Sequence, residues 1–213
     1  MFPLGAVTFP GAFMSLHVFE DRYRELISHL MSLPEDERVF GTVAIREGHE
    51  VGAGSFRSAH RVGCEVLLTD VTESDGTYEV TATVRRRIRV DALVESTSFM
   101  RAEVEPLPER AGDGAEDAAT RAHAIFNAYL ERLASMSVSL SEDDLPTDPL
   151  PMSYALSARA LLTLRDRQDL LEAPDAATRL RQVSRLVVAE MAAIRAIPSL
   201  PAIEIDQAAW SPN

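Results

Sequence analysis

The side chains able to do chemistry are few and scattered. Five histidines, His17, His29, His49, His60 and His123, form no i, i+4 pair and no tight group of the kind a metal ion requires. A surface or structural role is the ordinary expectation for each. Cys64, the one cysteine, sits in a run of β-formers between Gly63 and Glu65, which suits a small buried residue better than a nucleophile. Gly52-Ala-Gly-Ser55 lacks the third glycine, the lysine and the following helix pattern of a phosphate loop, and is expected to be a turn between strands. No Gly-x-Ser-x-Gly elbow occurs. Glu20-Asp21 opens an expected helix, where negative charge is favourable, and Asp143-Asp144 falls in an expected loop. What remains is a stripe of Arg85, Arg87 and Arg89 at alternate positions of a strand. Three guanidinium groups on one face would bind phosphate, nucleic acid or an acidic peptide. The same three would also serve as a solvated face paired with nearby carboxylates, and the overall charge favours that reading.

That charge is formally −12, from 33 acidic residues against 21 arginines and no lysine. Without lysine these 213 residues supply no P-loop lysine, no Ser-Lys dyad and no Schiff base. A chain this acidic is a poor general binder of DNA or of anionic lipid. With 46% hydrophobic and 25% charged residues the composition is that of a globular protein, and the length allows one large domain or two small ones. A single cysteine permits no intrachain disulfide. The start, Met1-Phe-Pro-Leu-Gly, lacks a basic region and a long apolar run, and no stretch approaches the ~20 apolar residues of a spanning helix. A cytoplasmic protein off the membrane is expected, with no cofactor and no metal.

Two halves must position these residues. The first is rich in Val, Thr and Phe in short alternating runs, and strands are expected at Leu4–Phe9, Phe13–Val18 and Val39–Arg46. Phe19, Tyr23, Leu26, Ile27 and Leu30 recur at helical spacing, predicting a helix over about 20–32 that ends at Leu33-Pro34. Val62 to Val94 reads as a hairpin turning at Asp75-Gly76, where both residue types tolerate positive φ. Tyr78, Val80, Ala82, Val84, Ile88 and Val90 share its apolar parity, while Thr77, Glu79, Thr81, Thr83, Arg85, Arg87 and Arg89 share the polar one. Arg86 breaks the pattern, as a paired interior residue or as the mark of a bulge. The segment from Glu103 to Asp117, with its prolines, glycines and acids, reads as a linker.

The second half is rich in Ala, Leu and Arg. Ile125, Tyr129, Leu133 and Met136, thickened by Phe126 and Leu130, predict an amphipathic helix. An acidic loop spans Ser137–Pro151. Ala155, Ala158, Leu161 and Leu162 mark a third helix, and Asp166–Leu171 a short fourth. Asp175 is the expected N-cap of a last long helix carrying Leu180, Val183, Val187, Met191 and Ile194 inward and ending at Ile197-Pro198.

Ordered segments resemble a known family. They are Phe2-Pro-Leu-Gly-Ala-Val-Thr-Phe-Pro-Gly11, Leu16-His-Val-Phe-Glu-Asp-Arg-Tyr-Arg24, Phe40-Gly-Thr-Val-Ala-Ile-Arg-Glu-Gly48, Val62-Gly63, Asp75-Gly-Thr-Tyr78 and Arg86-Arg-Ile-Arg-Val90. Pro151-Met-Ser-Tyr-Ala-Leu156 and Asp166-Arg-Gln-Asp-Leu-Leu-Glu172 continue the series. Together they resemble the N-terminal domain of Lon proteases, in particular bacterial proteins made of that domain alone. Val84 stands where the family often has Gly, and Ile88 where it usually has Phe. The first strand also begins close to Met1, so a start further upstream is expected. The resemblance implies an α+β fold: a PUA-like, partly closed β-barrel over residues 1–107, a helical bundle over 115–197 and an irregular tail over 198–213. It implies a non-catalytic module, without the ATPase and Ser-Lys protease domains of full-length Lon, that engages protein or unfolded peptide as an adaptor in protein turnover. The alternative is small-molecule or nucleic-acid binding through the barrel, with Arg85, Arg87 and Arg89 as the candidate surface. DNA and membrane are not expected as partners, RNA is disfavoured, and a monomer or weak homodimer is expected. Phe9, Pro10 and Phe13 could line an apolar groove, although core positions are the preferred reading for them.

Overall fold

The computed structural model describes residues 1–48, 56–94, 98–138 and 145–196. They fall into two compact units, Met1–Pro108 and a second that opens at Glu109.

The first unit is built on one mixed sheet. Its elements are β1 (Phe2–Leu4), β2 (Phe13–Val18), α1 (Asp21–Met31), a 3-10 turn (Glu35–Glu37), β3 (Val39–Gly48), β4 (Phe56–Ser74), β5 (Thr77–Val94) and β6 (Arg101–Pro106). The strand order is β1-β3-β4-β5-β2, with β6 also paired to β5. β1 runs parallel to β3, and every other pairing is antiparallel. The 18 residues of β5 let it pair with β4 along one side, while the other side takes β2 at Tyr78–Thr83 and β6 at Ile88–Val94. The sheet does not return on itself, so the barrel is only partly closed. The hairpin turns at Asp75 (φ 51°) and Gly76 (φ 77°), the two positive-φ positions its sequence suits.

Register shifts set which side chains face inward. Glu65 opposes Arg86 and the next residue, Val66, opposes Val84, so Arg85 is an extra residue in β5. Beyond it the parity inverts: Arg85 and Arg86 are both exposed, whereas Arg87 is 3% exposed. The three arginines therefore do not share one face. β1 is also shorter than expected. Gly5–Phe9 leaves the sheet, yet Val7 and Phe9 remain buried. Thr8 is held by side chains instead of a ladder, its hydroxyl 2.9 Å from that of Thr42 and its carbonyl accepting from the Cys64 thiol at 3.3 Å. The expected linker starts as a strand. β6 pairs with Ile88–Val94, and its Pro106 sits at the strand's end, where a missing N–H is tolerated.

The second unit contains α2 (Ala115–Ala134), α3 (Pro149–Arg159), α4 (Leu164–Glu172) and α5 (Ala176–Ala196). α2 buries Ala118, Ala122, Phe126, Tyr129 and Leu133. α3 starts well before the expected helix, because Asp148 caps it by accepting the Leu150 N–H at 2.9 Å. Pro149 and Pro151 occupy its first turn, where no N–H is needed. Leu161 and Leu162 lie beyond its end. α5 is capped as expected: Asp175 Oδ1 accepts the Thr178 N–H at 2.7 Å, and Leu180, Val183, Val187 and Ile194 are buried. Met191 is only half-buried. Residues before α2 are not a free linker, since Arg110 and Ala111 accept the N–H groups of Ala176 and Ala177. Gly52–Ser55, His49, Asp143-Asp144 and the expected tail over 198–213 lie outside the described residues.

Candidate functional site

The sheet unit contains a pocket of about 250 Å³ between α1 and the strands. Its floor is apolar because two periodicities meet there. Leu26 and Leu30 lie one turn apart on the inner face of α1, and Phe40 of β3 and Ile88 of β5 face them; none is more than 5% exposed. Tyr23 fixes the helix by stacking on Phe2 of β1, with ring centroids 4.1 Å apart.

The mouth is more polar and more open. Ala102 and Val104, alternate residues of β6, form one wall, and Val104 is 42% exposed. On the opposite lip His29 packs against Phe99 with ring centroids 5.5 Å apart. Met100, which precedes β6, is tied to the chain before β1, its carbonyl accepting from the Met1 nitrogen at 2.7 Å. Arg101 also lines the pocket; its side chain is exposed and makes no ion pair or hydrogen bond among the described residues. β6 has β5 on one side and no strand on the other among the described residues. Glu65 contributes a carboxylate whose Oε2 accepts from Arg86 at 2.8 Å, while Oε1 has no hydrogen bond and lies 4.0 Å from Arg85 Nε.

The arginines singled out in the sequence have other roles. Arg85 and Arg86 flank Glu65. Arg89 is paired with Asp91 at 3.1 Å and with Glu105. The Asp91 hydrogen bond, reinforced by the Glu105 charge, raises the Arg89 pKa, and Glu65 does the same to Arg86. Arg87 points inward and donates to the Pro108 carbonyl at 3.1 Å, while its own carbonyl accepts the Leu107 N–H. Arg87 thus anchors the end of the sheet unit, and the exposed pair Arg85 and Arg89 is partly neutralised. Phe9 is core, at 1% exposed, whereas Phe13 on β2 is 80% exposed. His17 contacts Glu79 at 2.5 Å, His123 is exposed on α2, and Cys64 is fully buried. Among the described residues no three His, Cys, Asp or Glu side chains are grouped to hold a metal ion. No described helix is long and apolar enough to cross a membrane.

The pocket itself was hidden from sequence reasoning. Each lining residue reads as an ordinary core or surface position, and only the meeting of α1 with β6 makes them a site. The one available signal was the Ala102/Val104 alternation, which the surrounding prolines and acids masked.

A second groove, of about 400 Å³, lies in the helical unit between α4 and α5, lined by Leu170 and Leu186 among Asp166, Asp169, Gln182 and Arg185. Of these only Leu170 is buried, and Asp166, Asp169 and Arg185 bring charge to the groove's rim.

The model of the ATP-dependent protease La (LON) substrate-binding domain matches residues 1–189. Lon protease 2 of Syntrophobacter fumaroxidans is 25% identical over 183 residues, covering 84% of this chain and 22% of that protein. Lon protease 1 of Herpetosiphon aurantiacus is 20% identical over 195 residues, covering 88% of this chain and 24% of that protein. The chain thus spans under a quarter of the length of these curated relatives. Among solved structures, the Lon N-terminal domain protein from Xanthomonas campestris superposes with a TM-score of 0.60 at 23% identity, covering 85% of this chain and 94% of that one. The N-terminal domain of Mycobacterium avium complex Lon protease gives 0.63 at 17% identity, covering 87% and 96%.

Proposed function

The chain belongs to the LON substrate-binding domain family, and from that premise we propose that it binds unfolded protein segments at the pocket between α1 and β6. The observation that carries this reading is the pocket's construction: a buried apolar floor opening beside a strand edge. Its volume is below the ~300–1,000 Å³ typical of small-molecule sites, and it suits one or two apolar side chains. An unpaired strand edge meets the other need of an extended segment, partners for its backbone N–H and C=O groups. The step is binding alone and needs neither cofactor nor catalytic group. In this reading the protein works in the cytoplasm as an adaptor that brings segments to a protease.

The test compares a folded, disulfide-bonded protein with its reduced, carboxymethylated form, each dye-labelled and titrated with this chain by anisotropy. Binding of the unfolded form only, lost in Val104→Asp, supports the reading. Equal binding of both forms, or none of either, removes it.

A further inference from the structure

We infer that the pocket reads the C-terminal end of an extended polypeptide, with the last apolar side chain on the floor and the terminal carboxylate on Arg101. The inference rests on the binding reading above and names which part of a substrate is recognised.

Charge is the first argument. The chain is strongly acidic and its exposed β5 arginines have carboxylate partners: Arg85 and Arg86 have Glu65, and Arg89 has Asp91 and Glu105. Arg101 has none among the described residues, and it stands at the pocket mouth. An exposed guanidinium at the mouth of a pocket with an apolar floor fits a ligand that carries both an apolar group and a carboxylate. Its planar fork matches a carboxylate in two parallel hydrogen bonds.

Position is the second argument. Arg101 is the first residue of β6, and Ala102 and Val104 of the same strand wall the pocket. A peptide added along the edge of β6 that no described strand covers would have its backbone satisfied there, while side chains alternate between cavity and solvent. One end of that edge is marked by the guanidinium. A chain that ends at Arg101 gains a charge-assisted contact, and a chain that continues past it does not.

Size is the third. A pocket of about 250 Å³ holds a terminal leucine, isoleucine or phenylalanine but not a long apolar run, so the terminal residue carries the selectivity.

The experiment uses the full chain and one short dye-labelled peptide ending in leucine, made as the free acid and as the C-terminal amide. The free acid is expected to bind about tenfold more tightly than the amide, the effect of one charged hydrogen-bonding contact. That preference should shrink as salt rises. Arg101→Gln, at an exposed position, should remove the preference for the acid over the amide. Replacing the terminal leucine with serine should weaken the free acid by at least as much. Equal binding of acid and amide, or a preference that survives in Arg101→Gln, overturns the inference. If the carboxymethylated protein binds but acid and amide do not differ, the binding function stands and the terminal readout fails. If no peptide and no unfolded protein binds, both fail.

Discussion

Arg179 is fully buried in the helical unit, where sequence reasoning places arginine on the surface. Its guanidinium donates to the Leu170 carbonyl at 2.8 Å, the Ser153 hydroxyl at 2.9 Å and the Ala173 carbonyl at 3.2 Å, and it lies over the Tyr154 ring at 4.0 Å. It therefore satisfies the end of α4 from α5, a role that uses a donor on each nitrogen of a planar group. Arg179→Met should cost about 3 kcal/mol or more in urea unfolding, because it strands buried carbonyls. Arg85→Ala, at an exposed bulge, should stay within about 0.5 kcal/mol. Asp175 was legible because a carboxylate before a helical pattern is a cap by chemistry alone. Its pKa is lowered, first by the Thr178 N–H and then by neighbouring arginine charge. A depressed carboxylate pKa stabilises the fold fully above the ordinary carboxylate range and loses that effect as pH falls through the depressed value. Asp175→Ala should therefore cost about 1 kcal/mol at neutral pH. The gap to the parent should narrow in acid, as read by thermal unfolding across pH.

Elements were legible where local chemistry alone decides them. The Asp75-Gly76 turn, β2 and α1 follow from positive-φ residues and clean periodicity, and all three form as expected. Elements decided by pairing at a distance were not. β6 exists because β5 offers it an edge, and Arg87 turns inward because one extra residue, Arg85, inverts the parity. No property of Arg85 itself announces that bulge. Pro149-Leu-Pro reads as a breaker, yet it is a helix start once Asp148 supplies the cap. Gly63 shows how tightly the strands approach: a β-carbon there would fall 1.9 Å from the Thr42 carbonyl oxygen. Gly63→Ala should force β3 and β4 apart and cost about 3 kcal/mol. The same denaturation experiment checks it, and a near-neutral result would mean the pairing is looser than described.

At the scale of the whole molecule, composition pointed to no site. The charge of −12 and the acid partners of Arg86 and Arg89 both oppose a nucleic-acid surface. A single-stranded RNA titration should give weak binding with almost no salt slope, and an Arg85 and Arg89 double Ala variant, which spares the buried Arg87, should not change it. A steep loss of affinity with salt would restore the nucleic-acid reading. Residue usage changes along the chain, Val, Thr and Phe giving way to Ala, Leu and Arg, and the two compact units meet at Pro108 and Glu109. The pocket was not readable from residue usage, because it joins Leu26, Phe40, Ile88 and Val104 across 78 positions of chain, counted from 26 to 104.

Unfolded protein held at the pocket between α1 and β6, as proposed, would shield particular backbone amides from solvent. Hydrogen exchange with and without a carboxymethylated, permanently unfolded protein tests it most directly. Slowed exchange confined to the end of α1, the start of β3 and β6 is expected. No protection, or protection only on α2–α5, would contradict it.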